Sequence, residues 1–159
     1  MSALDLLIRR LMSQRASLER AASLVTALPG PALQIGWQDG FSYDHLHEIL
    51  RRRELFVFDR AISAPNDAPP AAEQRIVGDP YDTLPQAWER WHREVAFAYL
   101  NFPAPARVAA ELAPLVAPLL RPGAIVVAEA ELELDGWEKI ATQETSTRDA
   151  RENLYRVGG

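Results

Sequence analysis

Cysteine is absent from the 159 residues, which excludes disulfides, thiolate metal sites and cysteine nucleophiles. Histidine is scarce: His45, His47 and His92 are the only three. Asp44, His45, His47 and Glu48 crowd together, but residues two apart on a helix point roughly 200° away from each other, so the two imidazoles cannot clamp one ion. No metal is expected, and no Ser-His-Asp arrangement can be argued from the spacing. Long apolar runs are missing as well. The longest, such as Ala124 to Ala128, fall far short of the roughly 20 residues that cross a bilayer. The first residues carry Asp5, Arg9 and Arg10 with no small-residue cleavage site, so neither an export signal nor a membrane partner is expected, and the cytoplasm is the default location. Positive charge is also thin. The formal net charge is −5, and the one dense basic run is Arg51-Arg52-Arg53. Nucleic-acid readers carry a basic face; this run reads instead as the cap of a helix carboxyl end, where cations meet the negative pole of the dipole.

What is present suits one globular domain. Hydrophobic residues make up 48% and charged residues 25%, and a chain of this length buries roughly 70% of the surface its unfolded form exposes. The expected organisation is a single domain over 1–159, with a helical segment over 1–28 and an α/β core over 31–157.

The core is organised around Pro31 to Arg60. Leu33 and Ile35 mark a buried strand, Gly36 and Gly40 bracket a tight turn, and Asp44 to Arg53 reads as a crossover helix. Leu55 to Phe58 forms the next strand, and Asp59 stands at its carboxyl end, 19 positions after Gly40. In an open parallel sheet this order leaves a crevice above the strand ends where nucleosides bind. Glycine lets the backbone approach the ligand, and an acid about 20 residues on can accept the protons of two ribose hydroxyls.

Before this stretch, residues 3 to 28 show helical periodicity. Leu4, Leu7, Ile8 and Leu11 form one apolar stripe; Leu18, Ala21, Ala22 and Val25 form another. Gln14 and Arg15 interrupt them, so the helix either kinks or presents two faces. It can cover the sheet, close over a ligand or pair with a second subunit in a homodimer. After Asp59, Ala61 to Ala72 is rich in proline and small residues and reads as a loop rimming the crevice. Gln74 to Val77 is a third strand ending at Gly78-Asp79, and a helical stretch from Asp82 to His92 follows. Val95 to Leu100 is a fourth strand and Arg107 to Leu120 a helix that Pro114 and Pro118 kink or divide. Arg121-Pro122-Gly123 turns into a fifth strand, Ala124 to Ala128. Trp137 to Ile140 and Asn153 to Val157 are further strands, with Thr142 to Asp149 as a polar loop. The tail is too short for another crossover helix, so an antiparallel hairpin closes a mainly parallel sheet in a three-layer α/β sandwich. Trp37, Tyr43, Tyr99 and Trp137 read as core or crevice wall.

These residues resemble a known family. G-W-Q-D-G-F-S-Y-D-H-L, then E-L-F-V-F-D-R, V-G-D and L-R-P-G-A-I-V-V are similar to small bacterial S-adenosylmethionine-dependent methyltransferases with the Rossmann-like class I fold. The resemblance covers Pro31 to Arg156. It implies S-adenosyl-L-methionine as cofactor and methyl transfer to a small-molecule acceptor. It also implies that Gly36, Trp37, Gln38, Gly40 and Tyr43 lie against the cofactor's amino-acid part, that Asp59 holds the ribose, and that Arg60, Gly78 and Asp79 lie near the adenine. Asn101, Tyr99 and His45 would line the acceptor side as the catalytic residues. Two positions depart from the family pattern: Gln38 stands where a third glycine is usual, and Asn101 where an acid is usual. They support a rival reading, a cofactor-binding or interaction protein that keeps the fold without turnover. A nicotinamide-dependent oxidoreductase is a poor match, because Gly36, Gln38 and Phe41 occupy the three positions of G-x-G-x-x-G.

Overall fold

The computed structural model describes residues 2–38, 40–65, 67–102, 107–144 and 151–159. Helix α1 (Ala3–Leu24) is continuous through Gln14 and Arg15. It opens with a capping box: Ser2 Oγ accepts the Asp5 N–H while the Asp5 carboxylate accepts the Ser2 N–H, at 3.1 and 3.0 Å. The helix ends at Leu24, four residues short of the periodicity, because Pro29-Gly30-Pro31 reverses the chain into β1 (Ala32–Ile35).

Helix α2 spans Phe41–Ile49 rather than Asp44 to Arg53. Gly40, at φ +84°, supplies the left-handed turn that lets the helix begin directly after it. The arginine run therefore lies beyond α2, and it caps two helices. Arg51 donates to the Glu48 carbonyl in the last turn of α2, whereas Arg53 donates to the carbonyls of Val25 and Gly30, where α1 ends. Next come β2 (Leu55–Asp59), β3 (Arg75–Val77), α3 (Pro80–Gln86) and α4 (Trp88–Trp91). The single stretch expected up to His92 is thus two helices. Asp79 caps α3 by accepting the Tyr81 N–H, with Pro80 in the first turn.

Strand β4 (Val95–Leu100) is buried throughout. Helix α5 is Arg107–Val116, and a 3₁₀ turn over Ala117–Leu119 replaces its expected last turn, since Pro118 has no N–H to continue it. Strand β5 begins at Leu120, not at Ala124: Arg121-Pro122-Gly123 lies inside it as an irregularity in the β4–β5 register rather than as a turn. Strands β6 (Trp137–Glu144) and β7 (Arg151–Val157) form the antiparallel hairpin. Of the expected polar loop, Thr142 to Glu144 belongs to β6 and the remainder lies outside the described residues.

The seven strands run in the order β3-β2-β1-β4-β5-β7-β6, parallel from β3 to β5 and antiparallel at β7 and β6. Successive side chains alternate between two cores. Leu33, Ile35, Phe58, Leu100 and Val126 face α3, α4 and α5. Val57, Phe97, Tyr99 and Val127 face α1 and α2 with Leu18, Ala21 and Leu46. This is the expected three-layer architecture. The order reverses between β1 and β4, each leaving the sheet on opposite sides of that seam, which opens the crevice at their carboxyl ends.

Candidate functional site

Backbone hydrogen bonds extend the parallel ladder one step past the strand ends. The Gly36 N–H donates to the Phe58 carbonyl, the Gly78 N–H to the Asp59 carbonyl and the Asn101 N–H to the Ile35 carbonyl, at 2.8 to 3.0 Å. Gly78, Asp59, Gly36 and Asn101 consequently stand in one row along the crevice. Asp59 is held firmly there: its Oδ2 accepts the Trp37 N–H at 2.7 Å and its Oδ1 the Arg60 N–H at 2.6 Å. A carboxylate has about four acceptor positions; two serve to aim this one and two remain for a ligand's hydroxyls.

The glycine turn is tight for a physical reason. A Cβ on Gly36 (φ +101°) would lie 2.5 Å from the Asn101 carbonyl oxygen, so β1 and β4 approach here as only glycine allows. The Gly36 carbonyl is pinned from two sides, by Gln34 Nε2 at 2.9 Å and Asn101 Nδ2 at 3.1 Å. Gln38 adopts φ +53°, the left-handed conformation that suits the missing glycine. Its side chain neither swings out nor stays free: Nε2 donates to the Asn101 carbonyl at 2.8 Å and to Asn101 Oδ1 at 3.3 Å. The amide thus bridges the β1–β4 seam. On the other flank, the exposed Arg60 guanidinium meets Asp79 Oδ2 at 2.8 Å.

The expected site residues divide into two groups. Gly36, Gln38, Asp59 and Asn101 converge directly, Gly40 closes the turn behind them, and Arg60, Gly78 and Asp79 follow along the β2–β3 end. Trp37 contributes its backbone N–H, but its ring is buried under α2 against Tyr43, 5.4 Å between centroids. Tyr43 is a core residue as well: its buried hydroxyl has its pKa pushed up to about 12 by burial first and by Asp44 second. His45 does not reach the crevice; its Nε2 lies 3.6 Å from Glu19 on α1. Tyr99 points between the sheet and α1, where Gln14 Nε2 donates to its hydroxyl and also to Ser42 Oγ. Both residues follow from period-two alternation and helix phase, which turn them toward α1.

The structure adds residues that the sequence reading missed. Leu100 pairs with Ala128 and Ala128 with Asn153, so Asn101, Glu129 and Glu152 each stand one step beyond that rung. With strands spaced about 4.8 Å, Glu129 is about 5 Å and Glu152 about 10 Å along the sheet from Asn101. Arg10 of α1 pairs with Glu129 at 2.9 Å. Glu152 is buried beside Ser17, and burial, then Glu129, pushes its pKa up to about 7. Its Oε2 has no partner among the described residues. The local signals were present: Gln34 interrupts the apolar A-L-Q-I, and Glu129 ends the run A-I-V-V-A. Neither says which distant groups it meets. Among the described residues, no group of three or more metal-ligating side chains comes together, and no helix is long and apolar enough to cross a membrane.

Comparison with known proteins follows the same lines. A family model described as S-adenosyl-L-methionine methyltransferase matches residues 1–157. A crystal structure of an S-adenosyl-L-methionine methyl transferase from Silicibacter pomeroyi DSS-3 superposes with a TM-score of 0.86 at 31% identity, covering 99% of each chain. More distant is the Burkholderia thailandensis 1,6-didemethyltoxoflavin-N1-methyltransferase, solved with bound 1,6-didemethyltoxoflavin and S-adenosylhomocysteine. Its TM-score is 0.59 at 14% identity, over 95% of this chain and 82% of that one. Human methyltransferase-like protein 13, solved with S-adenosylhomocysteine, is similar in fold, with a TM-score of 0.60 at 12% identity over 95% and 82%. No curated protein matches the chain.

Proposed function

The chain belongs to the S-adenosyl-L-methionine methyltransferase family, and from that premise we propose that it methylates a small-molecule acceptor in the cytoplasm. Its cofactor is S-adenosyl-L-methionine. The observation that carries the reading at residue level is Asp59, locked by two backbone N–H groups beside a glycine turn that no larger residue can replace.

The residues fit the cofactor. Asp59 would take the ribose hydroxyls with its two remaining acceptor positions, the Gly36–Gly40 turn would lie along the amino-acid part, and Arg60 with Asp79 would flank the adenine. When bound, the cofactor supplies a methyl group already activated on a sulfonium. The protein's work is then alignment and exclusion of water. Asn101 serves that alignment: its amide ties the β4 end to the Gly36 carbonyl and receives Gln38. It cannot take a proton. Glu129, 14% exposed at the end of β5, is the carboxylate placed to receive the acceptor's proton, with Glu152 behind it. The acceptor proposal has support from a distant relative solved with a small-molecule substrate, where the likeness is one of fold.

The test is calorimetric titration with S-adenosylmethionine and S-adenosylhomocysteine, with NAD as control and Asp59→Ala as the site variant. Micromolar binding of both adenosyl ligands, lost in the variant, supports the site. Absence of binding would overturn it and leave the non-catalytic reading.

A further inference from the structure

The first half of α1 is built the wrong way round for a helix that serves only its own domain. Around the axis, the residues that meet the domain are Arg10 on Glu129, Gln14 on Tyr99, then Ser17 and Ala21. Through Gln14 this line is polar. The apolar residues Leu4, Leu7, Ile8, Leu11 and Met12 centre roughly a third of a turn away, at 100° per residue. They face solvent, between 39% exposed at Leu11 and 66% at Met12, whereas Leu18 in the second half is 1% exposed. At these exposures the five side chains present roughly 500 Å² of apolar surface, as large as the greatest patch on most monomers. The helix needs none of them for its own fold.

We propose that this face is covered by the same face of a second copy, as an antiparallel pair about a two-fold axis between residues 7 and 8. In that register Leu4 meets the partner's Leu11 and Leu7 meets the partner's Ile8. An antiparallel two-fold brings like flanks together at opposite heights. Asp5 and Arg9, one turn apart beside the stripe, then complement each other, so Asp5 comes within reach of the partner's Arg9 on both sides. A parallel pair would put the two Asp5 residues on opposite flanks, each away from the partner's Arg9. The apolar patch supplies roughly 500 Å² of the ~800 Å² per partner of a standard interface, and the flanking charges add to it.

Sedimentation equilibrium at micromolar concentration tests the pairing. The protein should sediment at twice the protomer mass, and L7E/I8E should fall to the protomer mass, with association weakened more than ~100-fold and an unchanged circular dichroism spectrum. Arg9→Asp should weaken association several-fold. A wild-type protomer at these concentrations overturns the proposal. So does a dimer that L7E/I8E leaves intact, or one that Arg9→Asp leaves unweakened. A monomer that co-sediments with phosphatidylglycerol vesicles would assign the face to lipid and overturn it equally.

Discussion

The two halves of the crevice are built on different principles. On the β1–β2 side, glycines and backbone N–H groups position one carboxylate, and the partners lie within 22 residues of each other. On the β4–β5–β7 side, a cluster of side chains is assembled from α1, α2 and three strands; Gln14 reaches Tyr99 across 85 positions and Arg10 reaches Glu129 across 119. The first half is a turn with a fixed shape, which any bound nucleoside can use. The second owes its polarity to burial and to neighbours brought from afar, and it is the half that the proposed function assigns to the acceptor.

The sharpest way to break that contrast is Asp59→Ala. It removes a ligand acceptor and leaves the Trp37 and Arg60 N–H groups without their partner. Titration with S-adenosylhomocysteine should show at least ~100-fold weaker binding, the scale of losing two charge-assisted hydrogen bonds. A change under threefold would remove Asp59 from the cofactor side.

Glu152 probes the other half. Its pKa is raised from 4.5 to about 7, so the folded state holds the proton more tightly than the unfolded one. That favourable contribution is full below about pH 4.5 and is lost as pH rises through about 7. Glu152→Gln, which keeps size and neutrality, should therefore stabilise the protein at pH 8 by up to about 3 kcal/mol relative to wild type, and by little at pH 4.5. Thermal melts across that range check it; a pH-independent difference would show that Glu152 titrates normally. Binding of S-adenosylhomocysteine should be untouched.

Gln38 lies on the boundary between the halves. Gln38→Gly relieves a left-handed residue, worth about 1 kcal/mol, and removes the amide from the seam. Calorimetry should show S-adenosylhomocysteine bound roughly three- to tenfold more tightly, about 1 kcal/mol. Weaker binding would mean that the amide is itself a ligand contact. The smallest effect is expected from Arg60→Ala. Its pair with Asp79 is largely exposed, so stability should change by less than about 1 kcal/mol, with a few-fold loss in cofactor affinity as the readout of the adenine flank.

Much of the cofactor half was legible in the sequence. A short apolar strand, two glycines and an acid at a fixed distance are local features, and local features survive in one dimension. Tyr43 and Trp37 were assigned to the ligand by resemblance, yet both rings pack into the core, Tyr43 through the phase of α2. His45 was misjudged for the same reason, and Tyr99 supports its half of the crevice through Gln14 rather than facing the opening: proximity along the chain does not say which face of an element a side chain leaves. The start of α2 and the extent of β5 also escaped the reading, since a glycine cap and a proline inside a strand irregularity look like ordinary turns.

By itself the sequence determined the order of elements, the parallel sheet with its closing hairpin, and the place of the crevice, because hydrophobic period, proline and glycine act over a few residues. Only the tertiary structure decided that Gln38 bridges to Asn101, that Glu129 and Glu152 stand beside Asn101 at the strand ends, and that α1 turns polar residues inward and leucines outward. Those depend on the register of strands far apart in the chain and on the rotation of a helix about its axis, and packing against the rest of the molecule sets both.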